Sequence, residues 1–189
     1  MRPSAFTVWR LAASVVAVLG APFVGRVMAQ DMHSPAAAPT CGATPAAPPA
    51  DLAGWRNATR LASAADPAGL AMATIAPGAA EVLTLQPAAK VRLAAPTGAR
   101  APAADAAGFS GMVRLKITEA GSYRVALSSP AWIDLVAGGT AVAATGHGHG
   151  PACTGIRKIV TFTLQPGDHV LQVVNSREPS VAVLVAPSA

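Results

Sequence analysis

The sequence predicts an all-β protein: an antiparallel, jelly-roll-like β-sandwich of about eight strands. Two observations carry the fold. Apolar and polar residues alternate with period two in several short segments, the signature of half-buried antiparallel strands. These segments recur roughly every ten residues between Gly/Pro turns, as in a sandwich or barrel. A third observation, the make-up of the amino terminus, places the domain outside the cytoplasm.

Residues 1–29 read as a secretory signal peptide. Arg2 and Arg10 come without acidic neighbours. The apolar run Leu11-Ala12-Ala13-Ser14-Val15-Val16-Ala17-Val18-Leu19-Gly20 and then Val27-Met28-Ala29 follow. Basic, apolar and small-residue regions in that order suit export and cleavage after Ala29, leaving Gln30 first. A retained membrane anchor is the alternative, but a span needs about 20 apolar residues, and Pro22 interrupts a run ending near Gly25. Neither Cys41 nor Cys153 stands in a lipoprotein-type context, so no lipid anchor is expected. The expected location is the periplasm or the external medium.

Of 189 residues, 160 remain after cleavage, which suits one domain. Arg2, Arg10 and Arg26 leave with the signal, lowering the formal charge from +5 by three to +2. The remaining basic residues are scattered, and only Arg157-Lys158 are adjacent. Without a basic stripe or stacking aromatics, nucleic acid is not an expected partner. Much of the apolar content is alanine, which buries little area. The usable core lies in Val, Leu, Ile, Phe and two mature tryptophans.

Residues 30–50 are an Ala/Pro-rich leader with little to bury, expected to be extended and mobile and pinned at Cys41. The folded domain spans 51–189, with its strongest pattern over 109–186. A short helix over 51–65 with Asp51 as cap is expected, and Trp55 docks on the domain. Glu81-Val82-Leu83-Thr84-Leu85 and Lys90-Val91-Arg92-Leu93 read as strands, followed by a loop over 97–107. Val113, Leu115 and Ile117 share one strand face. Tyr123-Arg124-Val125-Ala126-Leu127 and Val160-Thr161-Phe162-Thr163-Leu164 repeat that alternation. Segments 131–137, 170–174 and 181–185 are evenly apolar, as buried strands are. Ala76-Pro77-Gly78, Glu119-Ala120-Gly121 and Gln165-Pro166-Gly167 each precede a strand. They read as one repeated turn device closing hairpins.

Two resemblances follow from these residues. Gly121-Ser122-Tyr123-Arg124-Val125 and Pro166-Gly167-Asp168-His169-Val170-Leu171-Gln172-Val173 resemble the hairpins of bacterial pre-peptidase C-terminal-like domains, small jelly-roll sandwiches on secreted proteins. Ala131-Trp132-Ile133-Asp134-Leu135-Val136, then Gly146-His147-Gly148-His149-Gly150-Pro151-Ala152-Cys153-Thr154-Gly155-Ile156-Arg157-Lys158, resemble a group of small exported bacterial proteins of unestablished function. Members share an early Cys before a Leu-Ala-Gly-Trp segment, here Cys41 and Leu52-Ala53-Gly54-Trp55. Some carry the name homogentisate 1,2-dioxygenase. That name implies iron held by two histidines and a carboxylate in a cupin-type core, a ligand set this sequence does not display.

Cys41 and Cys153 are the only cysteines. In an oxidising compartment an even, minimal count predicts one disulfide; the alternative is two free thiols, one of them a metal ligand. Gly146-His147-Gly148-His149-Gly150 is the stretch richest in chemistry. Histidines two apart share a side on extended backbone, and neutral imidazoles bind Zn, Cu or Ni. Stable sites take three or four ligands, with His169, Asp168 and reduced Cys153 as candidates. The competing reading is a glycine-rich surface loop. His33 would be the fourth mature residue, one too late for an amino-terminal copper or nickel motif. Trp132 and Asp134, two apart on a strand, are a candidate binding patch; the alternative is a rim residue and a solvated carboxylate. There is no nucleophile elbow, phosphate loop, His-Glu-x-x-His or dinucleotide fingerprint, and no resident cofactor is expected. The leading expectation is a non-catalytic binding or structural module. A transition-metal binder using His147 and His149 comes next, and an oxygenase is the remotest reading.

Overall fold

A computed structural model describes residues 39–98 and 107–188. The expected signal peptide, the leader through residue 38 and most of the 97–107 loop lie outside the described residues. Among the described residues are twelve strands: β1 (Thr59–Ala62), β2 (Thr74–Ile75), β3 (Ala80–Thr84), β4 (Gln86–Pro87), β5 (Phe109–Ile117), β6 (Gly121–Leu127), β7 (Trp132–Ala137), β8 (Thr140–Val142), β9 (Ala144–Gly148), β10 (Lys158–Leu164), β11 (Gly167–Ser176) and β12 (Ser180–Pro187). Eight of them have five residues or more. One sheet runs β1-β3-β12-β6-β10-β9 and the other β2-β5-β11-β7-β8, with β4 also on β5. The fold is the predicted all-β sandwich. Its sheets are mixed, because the short pairs β1/β3 and β2/β5 are parallel, while all other pairs are antiparallel.

Period-two alternation builds the core. Val113, Leu115 and Ile117 of β5 and Leu171 and Val173 of β11 face Val125 and Leu127 of β6, Phe162 and Leu164 of β10, and Val181, Val183 and Val185 of β12 in one buried cluster. Each such side chain contributes about 1.5–3 kcal/mol of burial. The polar positions between them fall on the outer faces.

The three Gly turns do not close hairpins. Each carries the chain from one sheet to the other: β2 to β3, β5 to β6 and β10 to β11. Alternation fixes which face of a strand is apolar, and a corner between sheets serves a shared core as well as a hairpin does. Two corners are clasped alike. Tyr123 Oη donates to Glu119 O at 2.8 Å, and His169 Nε2 lies 2.8 Å from Gln165 O. In each case the ring stands two residues after the glycine and reaches a carbonyl four residues back. A tight hairpin joins β7 to β8 through Gly138 and Gly139, at φ 56° and 80°, a two-residue turn needing two positive φ angles.

Two expected elements are replaced. Residues 51–65 form a 3-10 turn, Ala50–Asn57, and then β1. Asp51 does not cap it, since the N-cap position is Pro49; Asp51 pairs with Arg124 instead. A Cβ on Gly54 would meet Gly78 O at 2.3 Å, so close contact with the sandwich, not helix propensity, shapes this turn. Leu52 and Trp55 thereby cover a second apolar cluster with Ala126, Ile156, Ile159 and Leu184 on the outer face of the first sheet. The 90–93 segment is no strand. After a 3-10 turn, Ala88–Lys90, the chain is irregular through residue 98 and crosses the outer face of the second sheet.

Candidate functional site

That crossing segment, a strap, meets one rung of the sheet strand by strand. Met112, Gln172 and Asp134 are in register across β5, β11 and β7. Their neighbours Val113, Leu171, Val173, Ile133 and Leu135 point into the core, so these three point outward. The Ala94 amide lies 3.2 Å from Met112 Sδ. Gln172, fully buried, accepts from the Ala95 amide at 3.0 Å and donates to the Ala95 carbonyl at 3.3 Å. Gly98 lies against Asp134 and Trp132, where a Cβ would be 3.6 Å from Asp134 Oδ1 and 3.7 Å from the indole.

Covered by the strap's end, Asp134 is only 8 % exposed. Its Oδ1 accepts from Trp132 Nε1 at 3.0 Å, so the strand spacing does bring the two together on one face. Oδ2 is buried with no hydrogen-bond partner. Lys158, at the start of β10 in the opposite sheet, completes the group. Its Nζ donates to Ala131 O at 3.0 Å and sits 5.5 Å from the centre of the Trp132 ring, within cation–π range. Partial burial lowers the Lys158 amine below its usual value, and the negative charge of Asp134 opposes that shift. Lys158 is thereby part-buried against the other sheet.

Beside Trp132 opens a cleft of about 750 Å³, lined also by Gly108, Ser129, Asn175, Arg177 and Glu178. It sits where β11 breaks register with β5 between Val173 and Ser176. Asn175 takes φ 50° there, a left-handed conformation that Asn tolerates better than most residues. Its backbone N–H donates to Ser110 Oγ at 3.0 Å. A side chain on Gly108 would collide with Asn175 Oδ1 at 1.7 Å, so glycine is what lets Asn175 occupy the cleft wall. Asn175, Arg177 and Glu178 escaped the sequence reading. The polar stretch Asn175-Ser176-Arg177-Glu178 between two apolar strands was the available signal.

Cys41 and Cys153 are joined in a disulfide with a Cα–Cα distance of 5.3 Å. Cys153 is therefore not a thiolate ligand. The Ala46 amide donates to Cys153 O at 2.8 Å, and Arg56 reaches Pro45 O at 3.2 Å, so the described part of the leader is tied to the sandwich at three points. His147 and His149 are exposed on and just after β9. His169 lies in the other sheet, 5 % exposed, with Nε2 engaged at its corner and Nδ1 unpartnered. Asp168 is paired loosely with Arg114 at 3.9 Å. Among the described residues no three His, Cys, Asp or Glu side chains converge as a metal-binding group, and no helix is long and apolar enough to cross a membrane. Set beside known families and curated proteins, the chain matches no family model and no curated sequence.

Proposed function

We propose that the chain is an exported, non-catalytic β-sandwich module that binds a small neutral polar ligand, of carbohydrate type, in the cleft beside Trp132. The observation that carries this reading is the convergence of an indole, an amide and a pair of opposite charges on one opening. Trp132 supplies an aromatic surface for the apolar face of a sugar ring. Asn175, Ser129, Arg177 and Glu178 supply donors and acceptors around it. Arg177 and Glu178 offset one another, which favours an uncharged ligand over an ion. The disulfide and the basic-then-apolar amino terminus support a periplasmic or secreted location.

Titration of the protein with a panel of neutral mono- and disaccharides, followed by tryptophan fluorescence and calorimetry, tests the reading. At least one sugar is expected to bind the wild type and to lose binding in Trp132→Ala, with the Trp55 signal unaffected. Binding that survives Trp132→Ala, or a panel without a binder, rejects the site. Recovery of a mature chain beginning at Gln30 from the osmotic-shock fraction or the medium checks export; a cytosolic chain with an intact amino terminus refutes it.

A further inference from the structure

We propose that His147 and His149 form half of a divalent transition-metal site, and that a second copy of this chain supplies the other half, joining two molecules at their β9 edges. Among the described residues β9 is the terminal strand of its sheet and pairs on one side only, with β10. Its residues carry no formal charge and no proline, so two of the usual blocks to edge approach are missing; a register break opposite Thr161 and Phe162 leaves Thr145 unpaired before His147. The histidines are not loosely hung. His147 is in register with Val160, and Gly148 with Ile159. Gly150, just after His149, is held so close to Ile156 that a Cβ would meet its carbonyl oxygen at 2.3 Å. The chain is then anchored by the Cys153 disulfide. His149 thus sits between two fixed points. Around Gly148 a Cβ would meet nothing within 4 Å, leaving room for another molecule.

Two imidazoles two apart on extended backbone present their nitrogens to one side. That is half of a four-nitrogen tetrahedral set. Among the described residues there is no local third ligand, because Cys153 is oxidised and His169 is buried in the other sheet. Across a twofold axis the same two residues recur, and the interface closes on itself. The ligand is a borderline-soft cation such as Zn(II), Cu(II) or Ni(II), bound by neutral imidazole.

The test uses the intact, disulfide-bonded protein without a histidine tag, and zinc chloride as the probe. Sedimentation velocity and metal analysis should show a doubling of mass with one zinc per pair of chains, reversed by EDTA. The exposed substitutions His147→Ala and His149→Ala should each abolish the zinc-dependent mass change while leaving the thermal unfolding curve of the apo protein unchanged. Thr145→Lys, which charges the edge but keeps both ligands, should weaken pairing and zinc binding together. A monomer holding one zinc per chain, zinc binding equal in the double alanine variant, or a dimer that persists in it would overturn the proposal. None of these results depends on the sugar-binding cleft.

Discussion

Asp134 carries a carboxylate on a covered sheet face with one oxygen bonded to Trp132 and the other unbonded. Its charge acts on Lys158, which belongs to the other sheet and donates to Ala131 O. Burial is the larger effect on Lys158 and disfavours its charge; Asp134 is the smaller one and favours it. The folded-state value therefore lies below 10.5, and the unfolded chain binds more protons between the two. Stability linked to this residue is lowest at pH below the folded value and rises with pH through that window up to 10.5. Asp134→Asn keeps an oxygen for Trp132 but removes the opposing charge. It should lower the Lys158 titration point further. With only Lys90, Lys116 and Lys158 to assign, carbon NMR of the methylated amines reads this directly; an unmoved or raised value shows that the carboxylate does not act on the amine. The sequence made half of this group visible, since residues two apart on a strand share a face. Lys158 was not visible in it, because nothing in a linear pattern tells which strand of the opposing sheet ends beside Trp132.

The strap is the element that turns an ordinary outer face into a site. Gln172 holds it through both backbone groups of Ala95. Gln172→Leu would leave that N–H and C=O buried without partners, at a cost of about 1–3 kcal/mol. The expected result is a lower urea midpoint together with faster amide exchange at Ala95; full protection of Ala95 in the variant would show that the strap is held by other means. The strap also shows the reach of periodicity. Lys90-Val91-Arg92-Leu93 alternates as cleanly as β5, and Val91 and Leu93 do pack against the core, yet the segment pairs with no strand. It lies between Pro87 and Pro96 and runs across strands, so it buries alternate residues without joining a ladder. The long strands β5, β6, β10, β11 and β12 were legible because their alternation coincides with a shared core. The three Gly corners were legible as turns but not as sheet crossings, because the partner of a strand is chosen by three-dimensional closure. Tyr123 and His169 reveal the distinction only in the fold, by clasping corners that would otherwise resemble hairpin ends.

Across the described residues four layers are stacked: the strap, two sheets, and a cover built from the 3-10 turn Ala50–Asn57 with Ile156. The disulfide joins the two pieces of that cover, bridging positions 112 residues apart. Cross-linking so long a loop removes unfolded-state entropy worth about 5 kcal/mol. The gain realised must be smaller. Cys41 lies outside the strands, and once reduced the described chain before Leu52 keeps the Ala46, Arg56 and Asp51–Arg124 ties; the folded state then recovers some of the same freedom. Leu52, fully buried, should hold the turn in place, so the sandwich survives reduction. The expected outcome is a native protein with no titratable thiol, and a Cys41→Ser/Cys153→Ser variant that still folds but unfolds at lower denaturant, by less than about 5 kcal/mol. Hydrogen exchange should place the loss first in residues 41–57 and 150–157, with β5, β6 and β10–β12 keeping their protection until global unfolding. A variant that exchanges uniformly faster across both sheets would mean that the bond holds the sandwich itself, and not its cover.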